Sequence, residues 1–285
     1  MKSLLVDDFF DIFTLISPNT ENKPNGGPRV KQKKDNTNGM KRNLLIDIGN
    51  SSAKIAVAAL GDTIVNTLST EENLSVEKLE SILAKNQGID AAILCTTRNH
   101  DPSVEKLLSS KINRFIILGS DTPIPLKNLY RTPETLGPDR IAAAVGAVAL
   151  APERSLLVVD LGSAITIDTV TSAGEYLGGN ISPGMTMRFK ALHQATEKLP
   201  LYSAPQEIGT MGDNTKHAIQ NGVALGILYE IEGYIARAER LYGDLDIFFT
   251  GRDAFYFADK LKKPIFATCD LVLSGLNRII EYNAK

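Results

Sequence analysis

Cysteine is nearly absent from this chain. Cys95 and Cys269 are the two in 285 residues, with neither metal-ligand spacing nor the number for a disulfide framework. That usage fits a reducing, cytoplasmic setting. Histidine is almost as scarce, and His100, His193 and His217 are too scattered to suggest a ligand set. Neither sign of charge is in excess. With 31 Lys and Arg against 33 Asp and Glu the net charge is −2, which leaves no basic footprint for nucleic acid or an anionic membrane. Long hydrophobic runs are missing too, each falling far short of the roughly 20 residues that cross a bilayer. The expectation is a soluble protein. What remains, 43% hydrophobic and 22% charged residues, is ordinary for a chain able to bury a sizeable core in one or two domains.

The first 39 residues differ from the rest. Residues 17–39 are rich in Asn, Pro, Gly and Lys and poor in apolar side chains, a composition that cannot bury enough surface to order itself. Residues 4–16 are apolar enough for one short helix, but Asp7, Asp8 and Asp11 interrupt it and count against a secretory or mitochondrial leader. Residues 1–39 are therefore expected to form a disordered extension, with the folded part opening at Met40-Lys41-Arg42.

The chain is organised around Asn43-Leu44-Leu45-Ile46-Asp47-Ile48-Gly49-Asn50-Ser51-Ser52-Ala53-Lys54. Its apolar run reads as a buried strand, and residues 49–52 read as a tight turn into a second strand over 55–60. Gly49 is expected to adopt backbone angles closed to other residues, letting amide N–H groups crowd inward. Those amides, the small hydroxyls and Lys54 suit a phosphate chain, and Asp47 suits a cation or its water shell. Turns are built from the same residue types, so one copy alone would be ambiguous.

The stretch occurs twice. Leu156-Leu157-Val158-Val159-Asp160-Leu161-Gly162-Ser163-Ala164-Ile165-Thr166 repeats the scheme, and its aspartate lies 113 residues after Asp47, a separation of domain size. Strand-like runs follow each turn, at 55–60 and 63–68 in the first copy and at 165–171 and 175–181 in the second. Between and after them the pattern alternates helix and strand, which is α/β. Helices are expected at 76–85, 104–108, 141–150, 186–199, 215–242 and 254–261, and from Leu271 onward. Residues 121–136, with three prolines, read as a loop. Two such meanders suggest a duplicated domain, 40–152 and 153–285, with a cleft between the copies.

This pattern resembles the superfamily of sugar kinases, heat-shock chaperones and actin, in which paired hairpins grip ATP between two ribonuclease-H-like domains. Three further motifs narrow the resemblance to type III pantothenate kinases: Gly137-Pro138-Asp139-Arg140, Gly178-Gly179-Asn180-Ile181-Ser182-Pro183-Gly184, and Asn214-Thr215 running into Ala218-Ile219-Gln220-Asn221-Gly222. The resemblance covers the chain from about Met40 to near its end. It implies ATP-dependent phosphorylation of pantothenate to 4′-phosphopantothenate, the first step toward coenzyme A.

The resemblance also implies roles. Asp47, Ile48, Gly49, Asn50, Ser51, Ser52, Ala53, Lys54 and Ser163 would contact ATP, Ser163 standing where the family usually has threonine. Gly137, Pro138, Asp139, Arg140, Tyr130 and Thr215 would line the pantothenate site, with Asp139 facing the substrate hydroxyl as catalytic base. An N-terminal helix cap is the plain alternative for Asp139. Arg140 has the fork-shaped donor that suits a substrate carboxylate, a surface salt bridge being its alternative. Asp160 would hold a monovalent cation, K⁺ or NH₄⁺, and Mg²⁺ would accompany ATP. The family forms homodimers. Thr250-Gly251-Arg252 departs from the usual Thr-Gly-Gly near the adenosine. Rival readings are a kinase of another small acid, a phosphatase, and an accessory transcription factor, the last disfavoured by the intact Asp47, Lys54, Asp139 and Asp160.

Overall fold

The computed structural model describes residues 14–15 and 41–284. The expectations for residues 1–39 lie outside the described residues except at Thr14–Leu15, which form a short strand, β1, rather than part of a helix.

Each half of the chain builds one sheet, and the two sheets share a strand order. In the first, β2 (Arg42–Ile48), β3 (Ala53–Ala59) and β4 (Ser69–Glu71) form an antiparallel meander. Strands β5 (Ile89–Thr96) and β6 (Arg114–Ile117) add parallel on the other side of β2, giving the order β4-β3-β2-β5-β6. The second repeats this with β8 (Leu156–Leu161), β9 (Ala164–Val170), β10 (Glu175–Pro183), β11 (Asp246–Thr250) and β12 (Phe266–Ala267), in the order β12-β11-β8-β9-β10. Two short edge strands extend it, β1 beside β12 and β7 (Lys127–Asn128) beside β10. This is the duplicated ribonuclease-H-like α/β fold expected from the repeat. The central strands β2 and β8 are buried on both faces, which their continuous apolar runs require. Both end at the aspartate of a hairpin motif.

The helices complete five layers. α1 (Val76–Lys85), capped by Ser75, and α2 (Pro102–Lys111), capped by Asp101, cover the outer face of the first sheet through Leu79, Ile82, Val104 and Leu108. α4 (Met185–Gln194), α5 (Thr215–Tyr242) and α6 (Ala254–Ala258) cover the outer face of the second. Between the sheets lie α3 (Pro138–Leu150) and α7 (Leu271–Tyr282), in one core with residues of both sheets. These two helices exchange halves. α3 packs on β8 and β9 as well as β5, while α7, the last element of the chain, packs on β2, β3 and β5. They cross so closely that a Cβ on Gly275 would lie 1.7 Å from the carbonyl oxygen of Ala142.

Several boundaries differ from the sequence expectation, among them the helix expected at 104–108, which runs over Pro102–Lys111. No strand spans 63–68: the Val65 N–H donates to Ser274 Oγ at 3.2 Å and the Thr67 N–H to Asp270 at 3.0 Å, so α7 and its N-cap take these two backbone donors, and only Leu68 bonds β3, at Ile55 O. The helix expected at 186–199 ends at Gln194, and that at 254–261 ends at Ala258. The 121–136 loop contains β7, which pairs in parallel with Glu175 and Tyr176. Among the described residues, no helix is long and apolar enough to cross a membrane.

Candidate active site

The two hairpins face each other. Gly49 N–H closes the first turn on Ser52 O at 3.0 Å, and Gly162 N–H closes the second on Ala164 O at 3.1 Å. The hydroxyls of Ser51 and Ser163 then meet at 2.7 Å across the cleft. Gly49 does not use the backbone freedom of glycine here, because this closure is reached without a positive φ. A Cβ there would meet no heavy atom nearer than Ser52 O at 3.5 Å. Asn50 and Ser51 are exposed, Ser52 is half-buried, and Ile48 and Ala53 are buried at the strand ends.

Three carboxylates gather around the hairpins. Asp47 ends β2, Asp160 ends β8, and Asp139 lies in the first turn of α3 behind the N-cap Gly137 and Pro138. Burial pushes Asp47 up to about 7, helped by the charge on Asp139 and opposed by Lys54. Burial likewise pushes Asp160 up to about 7, with Asp139 and Asp47 adding to the shift. Asp139 is also raised, by burial first, while its hydrogen bond from the Arg140 N–H at 2.9 Å pulls the other way. Asp139 thus raises both hairpin carboxylates in one desolvated place, the condition for accepting protons or cations near neutral pH. Asp47 Oδ1 is buried with no hydrogen-bond partner. Such an oxygen calls for a cation or an ordered water.

Gly251 completes the Asp160 corner. It follows Thr250, the register partner of Asp160, and has φ +89°, a region L side chains avoid. A Cβ at that position would lie 2.4 Å from Asp160 Oδ1. The neighbouring Arg252, which breaks the Thr-Gly-Gly pattern, turns aside to Asp253 at 3.3 Å and Thr186 Oγ1 at 3.1 Å.

Other expected site residues sit elsewhere or with unexpected partners. Lys54 directs its ammonium to Cys269 O at 2.5 Å and Asp270 Oδ1 at 3.5 Å, tying β3 to the start of α7. Arg140 is neither exposed nor open to a substrate carboxylate along its whole fork. It is buried, and its Nε and Nη2 both donate to Asp168. Burial alone would lower the Arg140 pKa, but Asp168 holds it above the usual value. Tyr130 lies beside this pair, with the Arg140 guanidinium 5.7 Å from its ring centre. Thr215 is exposed at the start of α5 and lines a separate cavity of about 850 Å³ between α4 and α5. That cavity includes none of the three carboxylates.

Sequence reasoning missed Asp168, Asp270 and Arg98. Asp168 carried a signal, a lone acid in a β-branched strand run that must find a cation if buried. Asp270 is the N-cap residue of α7, yet its side chain makes no cap bond and instead receives Thr67 and Lys54. Arg98 reaches the carbonyls of Glu72 at 2.5 Å and Asn50 at 3.5 Å, bracing the first hairpin from outside.

A family profile described as Type III pantothenate kinase matches residues 43–237. The chain belongs to the type III pantothenate kinase family. A type III pantothenate kinase of Bacteroides fragilis is 46% identical over 241 residues, covering 85% of this chain and 98% of that one. Another, of Porphyromonas gingivalis, is 39% identical over 247 residues, covering 86% and 100%. A crystal structure from Campylobacter jejuni, described as a conserved putative Baf family transcriptional activator, superposes with a TM-score of 0.56 at 25% identity, covering 84% of this chain and 98% of that chain. The matched region of this kinase family begins at the first hairpin strand and leaves the N-terminal extension outside.

Proposed function

We propose that this enzyme, as its family name states, transfers the γ-phosphoryl group of ATP to the primary hydroxyl of pantothenate in the cleft between the two hairpins. The observation that carries the reading is the 2.7 Å approach of Ser51 and Ser163, which sets both copies of the motif on one space beside Asp47, Asp139 and Asp160. Hydroxyls and turn amides from two sides suit a triphosphate.

The residues fit the cations that ATP chemistry needs. Asp47, with its orphaned oxygen, would hold Mg²⁺ or its water shell, since that ion takes one or two carboxylates and shares the rest of its shell with phosphates and water. Asp160, crowded by Gly162 and Gly251, would hold the monovalent cation, K⁺ or NH₄⁺. Bound there, the cations offset the charge of the phosphates. Asp139 orients the pantothenate hydroxyl and accepts its proton as the oxygen attacks the γ-phosphorus and the bond to the ADP oxygen breaks. Tyr130, Gly137, Pro138 and Arg140 form the wall beside Asp139. The wall offers the substrate the half-buried ring of Tyr130, backed by the Arg140 guanidinium that Asp168 holds.

Two copies of the chain complete the site. Thr215 lines a cavity apart from Asp139, and Ile181, Met187 and Tyr229 are exposed apolar side chains on β10, α4 and α5. A homodimer covering this face would carry Thr215 toward the partner's pantothenate, and such an enzyme works in the cytoplasm where its substrates are. The accessory-regulator reading is favoured by the activator description of the Campylobacter jejuni relative, but regulation needs no three buried carboxylates beside paired hairpins.

The test is a coupled assay of the purified full chain with pantothenate, ATP and Mg²⁺, with and without K⁺. ADP release that depends on pantothenate supports the reading, and its absence under all these conditions rejects it.

A further inference from the structure

One buried charge pair borders the cleft, and no step above uses its acidic member. Asp168 stands in the middle of β9 and is 2% exposed. A carboxylate at that depth persists only when paired. Three donors hold it: Arg140 Nε on Oδ2 at 3.0 Å, Arg140 Nη2 on Oδ1 at 2.5 Å, and the Tyr176 hydroxyl on Oδ1 at 2.7 Å. The motif glycines are shaped around the same group. A Cβ on Gly179 would lie 2.5 Å from Asp168 Oδ1 and 1.9 Å from the carbonyl oxygen of Ile167. A Cβ on Gly178 would lie 2.8 Å from the ring of Tyr130, which in turn flanks the Arg140 guanidinium.

These contacts end on the reacting group. Arg140 follows Asp139 directly in the first turn of α3, so a guanidinium gripped along one edge fixes how that turn is rotated. We propose that Asp168 is a positioning residue for phosphoryl transfer: through Arg140 it sets both the place of the Asp139 carboxylate and the wall that Arg140 and Tyr130 form beside it. The proposal rests on the pantothenate kinase reading of the cleft. Asp168 touches no reacting atom. Its contribution is geometric, and misplacing a catalytic group by about 1 Å can cost on the order of 10²-fold in rate.

The experiment compares full-length wild type with Asp168→Glu and Asp168→Asn, measuring kcat, KM for each substrate and melting temperature. Wild type that fails to phosphorylate pantothenate counts against the kinase reading, not against Asp168. Asp168→Glu keeps the charge but moves the carboxylate by one methylene, so the variant should fold. Its KM for pantothenate should rise and its kcat fall by about tenfold each, with KM for ATP unchanged. Asp168→Asn leaves Arg140 without a counter-charge and should show a larger effect of the same kind wherever it folds. Should neither fold, Tyr176→Phe decides, since it removes one donor and no charge. A severalfold rise in pantothenate KM then supports the proposal, and an unchanged KM overturns it. A folded Asp168→Glu or Asp168→Asn with wild-type kcat and pantothenate KM overturns it directly. So does an equal rise in both KM values, which would mark a general loosening of the fold.

Discussion

The hydroxyl oxygens of Ser51 and Ser163 lie 2.7 Å apart, although 112 residues of chain separate them. That contact brings two copies of one local motif onto a common space, and the behaviour expected of the enzyme follows from what surrounds it.

Asp139→Asn separates a catalytic carboxylate from a helix cap. Loss of a general base costs about 10²–10⁴-fold in kcat, and ATP affinity should be unchanged. The base works ionised and its pKa is raised, chiefly by burial, so kcat should fall on the acid side at a pH above about 4, the ordinary aspartate value. The sign for stability is opposite. An acid whose folded pKa is raised stabilises below its unfolded pKa and loses that contribution as pH rises through the folded value. Asp139→Asn should therefore melt no lower than wild type at pH 8. A folded Asn variant with wild-type kcat removes Asp139 from the mechanism.

The corner formed by Asp160 and Gly251 should govern the cation. Activity should need K⁺ or NH₄⁺ and be poorly supported by Na⁺, and Asp160→Asn should weaken ATP binding more than pantothenate binding. Gly251→Ala puts a methyl group 2.4 Å from Asp160 Oδ1 at φ +89°, so it should lower the melting temperature and ATP affinity together. Equal rates in Na⁺ and K⁺ would take the cation out of the account.

Thr215 should act across the dimer. Thr215→Ala is expected to raise the KM for pantothenate and leave that for ATP alone. In mixed dimers of Thr215→Ala and Asp139→Asn chains, one site receives an intact Asp139 and an intact Thr215. Mixing and re-forming the dimers should then give, at pantothenate well below the raised KM, more activity than either parent. Light scattering that shows a monomer, or a mixture no more active than its parents, would place Thr215 outside the site.

A chain beginning at Met40 should retain full kinase activity and melt within a few degrees of the full chain. Among the described residues of the extension, only the two-residue strand Thr14–Leu15 pairs with the domain, through Phe266 and Ala267. A loss of activity on truncation would show that the extension contributes to the cleft.

The parts legible in the sequence were those whose cause is local. The long helix at 215–242 is readable to its bounds because Asn214 caps one end, accepting from the His217 N–H, and Gly243 at φ +74° closes the other. The repeated Asp-apolar-Gly-polar turn is visible because a strand's apolar run and the turn residues that end it are neighbours in the chain. The 63–68 segment misleads for the complementary reason. Its apolar residues suit a strand, but the groups that capture its backbone, Ser274 and Asp270, come more than 200 residues later.

The two hairpins, the alternation of strand and helix, and the residue types that handle phosphate follow from local sequence. The partners of the charges come from long-range packing: Asp168 for Arg140, and Cys269 O with Asp270 for Lys54. Propensity, periodicity and capping act over a few residues, so they can be read along the chain. A buried cation's partner depends on which apolar faces dock. Here the docking exchanges α3 and α7 between the halves, and no local pattern encodes that exchange.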